Sequence, residues 1–226
     1  MTHSSSINHY QKKKLFLLLS LLTFICLLIG ALRIQLTGNI KGLFLAWNLL
    51  LAWVPFLIAY FVSLQKQKIS IIKLISILFF WLLFLPNAPY IITDLIHLRP
   101  RDGVPLWFDS IVIFIFAFHG LLLGITSTLF IHELLKKYLT NFKVWCILTG
   151  AFILSGYGIY LGRFLRWNSW DIIVNPIELL QDSFLKLTHP VAIVVTGIFA
   201  LILFFSYLIF YQLIHLKTTT YDTKIV

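Results

Sequence analysis

Two short polar stretches of this chain hold nearly all the side chains that could do chemistry. Six of the eight acidic residues lie between Asp94 and Asp109 or between Asp171 and Asp182. Carboxylates and imidazoles serve as general bases, general acids or metal ligands, and arginines bind anions through two parallel hydrogen bonds. We therefore take Asp94, His97 and Asp171 as candidate catalytic residues. The candidate substrate-binding residues carry amide, phenol or guanidinium groups: Asn87, Tyr90, Arg163, Arg166 and Asn168.

A metal site is a weaker alternative for the same residues. Asp94 and His97 are three residues apart, one helical turn, and His119 is a possible third donor. The spacing matches no zinc motif, and a hydrogen-bonded polar stripe explains it equally well. The sequence therefore assigns no metal and no cofactor, and leaves Asp94, His97 and His119 as weak candidates.

The elements that position these residues are membrane-spanning helices. Hydrophobic residues make up 60% of the chain and charged residues 12%, about half the charge of a soluble domain. Apolar runs near the length that crosses a bilayer recur six times. The predicted spans are 15–32, 43–64, 74–92, 110–130, 144–161 and 190–213. We predict an all-α polytopic bundle that forms a single integral membrane domain over residues 1–226, with an amphipathic interfacial helix over 176–187.

The third span is irregular, because Pro86-Asn87-Ala88-Pro89 interrupts it. Two prolines within four residues predict a broken or kinked helix. Beyond the break, the polar residues from Asn87 to His97 recur at spacings of three and four, which places them on one helical face. In lipid such a face must turn toward protein or water.

The fifth span supplies a partner for that polar face. Asp94 lies about 30 Å along its helix from Lys73, and Arg163 lies about 30 Å from Lys143, so the two reach the same depth. We predict an ion pair between them, either as part of a functional site or as a simple lock between helices. Gly158 and Gly162, four residues apart, allow a neighbouring helix to approach closely.

The net charge of +10 reflects membrane insertion rather than nucleic-acid binding. With the N-terminus inside, eleven of the 18 lysines and arginines fall on cytoplasmic segments. This bias predicts that both termini are cytoplasmic and that the polar stretches face outward. The expected partner is the lipid bilayer, with no nucleic acid, and the sequence does not identify a protein partner.

The segments Leu85–Leu98 (LPNAPYIITDLIHL) and Gly162–Asp171 (GRFLRWNSWD) resemble the two signature blocks of a multipass membrane family, domain of unknown function 1361. The resemblance extends from about Ile69 to Leu213. It implies a bacterial inner (plasma) membrane protein, and it carries over no reaction, substrate or catalytic residue.

Three functions remain open from the sequence. The first is a membrane-embedded enzyme that acts at the outer leaflet on a lipid-linked or anionic substrate. The second is a small transporter or channel that uses the broken helix and His119 as a pathway. The third is a non-catalytic subunit of a membrane complex. Few polar residues occupy the inner halves of the spans, which favours the enzyme over the transporter.

Overall fold

The computed structural model describes residues 8–38, 40–65, 67–99 and 105–222. Asp102 of the first polar stretch and both chain ends, 1–7 and 223–226, lie outside the described residues. The described helices are α1 (His9–Thr37), α2 (Leu43–Ser63), α3 (Ile71–Phe84), α4 (Asn87–Tyr90), α5 (Leu106–Leu135), α6 (Asn141–Phe164), α7 (Asp171–Val174), α8 (Pro176–Leu185) and α9 (Pro190–Asp222). Two 3₁₀ segments, Ile40–Gly42 and Ile91–His97, complete the regular structure.

Six of these segments are long and apolar enough to cross a membrane, with Ile71–His97 counted as one. The predicted all-α polytopic fold is therefore confirmed. Most helices extend several residues beyond the predicted apolar cores, because charged residues continue a helix past the hydrocarbon region. We call the end that holds Asp94, Asp109 and Arg163 the polar end. The opposite end, with Lys12, Lys73, Lys136 and Lys143, is the lysine end.

Helix α5 is the centre of the bundle. It packs against α1, α2, α4, α9 and the second 3₁₀ segment, and α6 packs along α9. More than half of the most apolar part of α5 is buried inside the protein, compared with 11% of the corresponding part of α1. The largest buried side chains of the core are aromatic: Trp81, Tyr207, Phe56, Phe116, Phe130 and Phe152.

A buried ion pair attaches α1 to this centre. Arg33 Nε donates to Asp109 Oδ1 over 2.7 Å, and Arg33 Nη2 donates to Asp109 Oδ2 over 2.9 Å. Both residues are only 5% exposed. The sequence groups Asp109 with the acidic stretch but does not indicate its partner on α1. The pair makes α1 part of the same bundle as the candidate site.

The third span keeps helical backbone angles at its prolines, but its regular hydrogen bonding is interrupted there. Leu85 and Pro86 keep right-handed helical φ and ψ angles, while the α-helical hydrogen bonding is interrupted there and resumes at Asn87. The chain then tightens into the 3₁₀ segment that carries Asp94 and His97.

The interrupted segment of the third span packs closely on α5 at Gly120. A Cβ atom at Gly120 would lie 2.5 Å from the carbonyl oxygen of Ala88 and 2.9 Å from Ile91 Cδ1. Gly158 on α6 allows a similar approach to Pro86, which confirms the predicted packing role of that glycine. These glycines fix where the polar face of the third span lies.

We predict that Gly120→Ala destabilises the protein by about 1–3 kcal/mol, because the added methyl group overlaps a backbone oxygen that cannot move freely. Thermal unfolding of the detergent-purified protein, followed by tryptophan fluorescence, measures the change.

The matched control is Gly150→Ala on α6, since a Cβ atom there would meet nothing within 4 Å. Alanine favours the helix over glycine by up to about 1 kcal/mol, so this control is expected to unfold at the same temperature or higher. Equal destabilisation by both variants would contradict the close approach at Gly120.

Candidate functional site

The predicted ion pair between Asp94 and Arg163 is confirmed. Arg163, in the last turn of α6, donates through Nη2 to Asp94 Oδ1, and the Asp94 side chain is only 1% exposed. The second carboxylate oxygen accepts a 2.7 Å hydrogen bond from Asn48 Nδ2 on α2. Asp94 therefore joins three spans, and both of its oxygens are occupied.

Arg163 organises the polar face of the third span. Besides Asp94, it donates twice to Thr93 Oγ1, over 2.8 and 2.5 Å, and once to His97 Nε2 over 3.1 Å. Its guanidinium carbon also lies 4.6 Å from the centroid of the Tyr90 ring. Because arginine only donates, His97 accepts through Nε2, and the neutral ring carries its proton on Nδ1. His97 itself is exposed.

Side chains from the two signature segments donate hydrogen bonds to the backbone at the break in the third span. Leu83 and Phe84 are the last residues of α3, so their carbonyl groups lie at the end of the helix. Ser169 Oγ donates to Leu83 over 2.9 Å, and Asn87 Nδ2 donates to Phe84 over 3.0 Å. Asn87 Nδ2 also donates to Ser169 Oγ over 3.0 Å. The loop after α6 is thereby attached to the broken helix.

A polar pocket of about 200 Å³ opens between these segments, and we call it the amide pocket. Its polar lining consists of three asparagines, a tyrosine and a serine: Asn48, Asn87, Asn168, Tyr90 and Ser169. The aromatic side chains of Trp47 and Trp167 form further walls, and Leu179 of α8 borders it. Helix α8 is held there by a 2.9 Å hydrogen bond from Trp167 Nε1 to Asp182 Oδ2.

The structure places neither of the two predicted substrate-binding arginines in the lining of this pocket. Neither Arg163 nor Arg166 lines it, and Arg163 is engaged by internal acceptors. Arg166 is exposed and has a left-handed backbone, with φ of 63°, where the chain turns after α6. Non-glycine residues rarely adopt this conformation, and such strain is found preferentially at functional sites.

Asp171 lies outside the lining of the pocket and accepts hydrogen bonds from Asn168, which lines it. Its Oδ2 accepts from the backbone N–H of Asn168 over 2.7 Å and from Asn168 Nδ2 over 3.3 Å. Asp171 itself does not line the pocket. Its carboxylate therefore orients Asn168 rather than facing the cavity.

His119 belongs to a different cluster. It is fully buried, and its Nε2 lies 2.7 Å from Thr23 Oγ1, which also accepts from Trp53 Nε1 over 2.9 Å. Within the described residues, no three His, Cys, Asp or Glu side chains form a group that could hold a metal ion. The structure thus does not bring Asp94, His97 and His119 together.

An apolar groove of about 570 Å³ lies beside this cluster, between α1 and α2. It is lined by Thr23, Leu27, Leu43, Ala46, Trp47, Leu49, Leu50 and Trp53. Trp47 borders both the groove and the amide pocket. The two cavities therefore share a lining residue, Trp47.

Three residues of the site escaped the sequence reasoning. Asn48 is a single amide within an otherwise apolar span, and that isolation was an available signal. Thr93 and Ser169 are small hydroxyl residues in the signature segments, and their types gave no indication of their partners. Only the packing of α2, α6 and the third span identifies them.

We predict that Arg163→Met lowers stability by about 3–5 kcal/mol, because it leaves the buried Asp94 carboxylate without its counter-charge. Adding Asp94→Asn should recover much of that loss, since the neutral amide needs no counter-charge. Chemical unfolding of both single variants and of the double variant measures the coupling.

The control is Arg99→Met, which removes an exposed positive charge from the same end of the protein. This variant should unfold like the wild type. Independent, additive effects at Asp94 and Arg163 would show that the pair does not hold the spans together.

We predict that Arg166→Gly stabilises the protein by about 1 kcal/mol, because glycine adopts the left-handed conformation without steric cost. Arg166→Ala removes the same guanidinium but keeps the strained Cβ, so it should show no such gain. Comparing the two variants in the same unfolding assay isolates the backbone strain, and equal stabilities would argue against it.

Comparison with known proteins places these features in one family. Residues 47–211 match the family described as protein of unknown function (DUF1361). No curated protein and no solved structure matches the chain. The matched region contains all residues of the amide pocket and every candidate site residue named above, whereas Arg33 on α1 lies outside it. Because the match covers well over half of the 226 residues, this chain belongs to the DUF1361 family.

Proposed function

We propose that this protein is a membrane-embedded enzyme that acts at the outer leaflet on a lipid-linked substrate. The observation that carries the proposal is the position of Trp47, which forms a wall of both the amide pocket and the apolar groove. A molecule with a polar head and an apolar tail can occupy both cavities at once. Binding sites of this kind combine an apolar surface with a few convergent polar groups.

The orientation of the polar end supports a site at the outer leaflet. Basic residues concentrate at the lysine end, as expected for a cytoplasmic surface. At the polar end, the apolar side chains Ile177, Leu180 and Phe184 of α8 are 54–73% exposed. An amphipathic helix with such a face lies in the headgroup region of a bilayer. We therefore propose a bacterial inner-membrane location with both termini in the cytoplasm.

The apolar groove suits the tail of such a substrate. It is open at the surface of the bundle between α1 and α2, where Leu27, Leu43 and Leu50 are 44–55% exposed. A lipid chain can enter from the bilayer without crossing a polar barrier. The head then reaches the amide pocket past Trp47, at the depth where tryptophan side chains concentrate.

His97 is the proposed catalytic residue. It is exposed beside Arg163, and histidine is the side chain that most often transfers protons in catalysis. Arg163 orients the ring by donating to Nε2, and Asp94 holds Arg163 in turn. Asp94 and Asp171 then act as positioning residues, Asp94 through Arg163 and Asp171 through Asn168. Arg166, at the turn beside the pocket, is the proposed contact for an anionic group of the substrate.

The non-catalytic subunit is the second candidate. The complete satisfaction of Asp94 by Arg163 and Asn48 favours it, because a lock between spans requires nothing more. The transporter has less support, since His119 is fully buried and its Nε2 is engaged by Thr23.

Lipids that co-purify with the protein distinguish the two candidates. We predict that His97→Ala protein retains more of one lipid species than the wild type, because substrate binds but does not react. Trp47→Ala and Tyr90→Phe should retain less of that species, since they alter the cavities. Mass spectrometry of lipids extracted from equal amounts of folded protein gives the comparison.

The control is Trp107→Ala, which removes an exposed tryptophan that lines neither cavity. Its lipid content should equal that of the wild type. Identical lipid content in all variants would reject the enzyme and favour the non-catalytic subunit.

A further inference from the structure

The three asparagines of the amide pocket all point their nitrogen atoms toward internal acceptors. Asn48 Nδ2 donates to the Asp94 carboxylate over 2.7 Å, and Asn168 Nδ2 donates to the Asp171 carboxylate over 3.3 Å. Asn87 Nδ2 donates to the Phe84 carbonyl over 3.0 Å. Carboxylates and carbonyls accept hydrogen bonds and do not donate them. The partners therefore fix which end of each amide is nitrogen.

These orientations leave the amide oxygens without protein partners. No hydrogen bond reaches Oδ1 of Asn48, Asn87 or Asn168 among the described residues. The hydroxyl of Tyr90, another lining residue, likewise has no partner within the described part of the chain, and it can both donate and accept. Ser169 Oγ already donates its single proton to Leu83. The pocket thus offers several acceptors to whatever enters it.

The charges around the pocket agree with this pattern. Among the described residues, no lysine, arginine, aspartate or glutamate lines it. The Arg163 guanidinium, which lies over the ring of the lining residue Tyr90, is neutralised by Asp94 and donates to Thr93 and His97. An anion in the pocket would face amide oxygens without a compensating cation, which is unfavourable in a partly desolvated site. A group that donates several hydrogen bonds would instead satisfy those oxygens.

We propose that the amide pocket takes a head group that donates several hydrogen bonds, either a primary ammonium or a set of hydroxyl groups. This inference rests on the proposed function, since it names the head of the same lipid-linked substrate. It separates the pocket from Arg166, which remains available to an anionic group outside it. The indole rings of Trp47 and Trp167 add apolar walls that accept either an ammonium or the C–H face of a sugar.

Four lipids with identical acyl chains test the proposal in nanodiscs. Phosphatidylethanolamine supplies an ammonium, and a glucosyl diacylglycerol supplies hydroxyl groups. Phosphatidylcholine and phosphatidylmethanol supply no head-group donors, and the latter is anionic. Nanodiscs that contain equal amounts of all four are opened in the mass spectrometer, and the lipids that stay bound to the protein are counted.

We expect phosphatidylethanolamine, the glucosyl lipid or both to stay bound at least several-fold more often than the two lipids without donors. Which of the two dominates identifies the ammonium or the hydroxyl set. Tyr90→Phe and Asn168→Ala should each reduce that preference about threefold to tenfold, the effect of one hydrogen bond. Both changes spare the Asn48 and Asn87 contacts, and the backbone N–H of Asn168 keeps its bond to Asp171.

Tyr10→Phe is the matched control, because Tyr10 is 73% exposed at the far end of α1. It should leave the preference unchanged. If phosphatidylmethanol dominates and depends on Tyr90, the pocket binds an anionic head, so the donor inference fails while the proposed function stands. If no lipid depends on Tyr90 or Asn168, the pocket holds no lipid head and the proposed function fails with it.

Discussion

A buried carboxylate at the edge of a membrane must find a positive charge, and Asp94 finds it in Arg163. An unpaired charge costs about 2.5–3.5 kcal/mol on insertion scales at a helix centre and less at the edge. The Asp94 side chain is only 1% exposed, however, and therefore still needs a counter-charge. The pair fixes the third span against α6, and the Asn48 bond adds α2. The other features of the polar end follow from the relative positions that this contact imposes.

Part of the amide pocket forms where Asn87 and Ser169 satisfy backbone groups at the proline break. Helix α3 ends at Phe84, and in a membrane the carbonyl groups of its last turn must be satisfied by other protein groups. Asn87 and Ser169 provide the donors, so the loop after α6 is drawn against the third span. Asn87 donates to the backbone, whereas Asn48 and Asn168 donate to carboxylates. Each asparagine that donates through Nδ2 to an internal acceptor leaves its Oδ1 atom without a protein partner among the described residues.

The two ends of the bundle are held by different contacts. At the polar end, two buried ion pairs, Arg33–Asp109 and Arg163–Asp94, hold α1, the third span, α5 and α6. Toward the lysine end of α5, His132 bonds to Tyr207 over 2.5 Å and packs on the ring of Trp145. Directional ionic contacts keep the polar end in one arrangement, and a pocket with fixed amide orientations depends on that rigidity.

The sequence by itself determined the helical membrane fold, because apolar runs of membrane length admit few alternatives, and it determined the Asp94–Arg163 pair, because two charges at matched depth must neutralise each other. It also located the polar face from Asn87 to His97 by helical spacing. Only the tertiary structure decided the partners of Asn48, Ser169 and Arg33, since the type of a polar or charged side chain does not specify which distant helix it contacts. It likewise decided that Asp171 turns toward Asn168, that His119 joins Thr23, and that Arg163 is engaged internally. Those outcomes depend on how rigid helices pack, which no local pattern in the chain specifies.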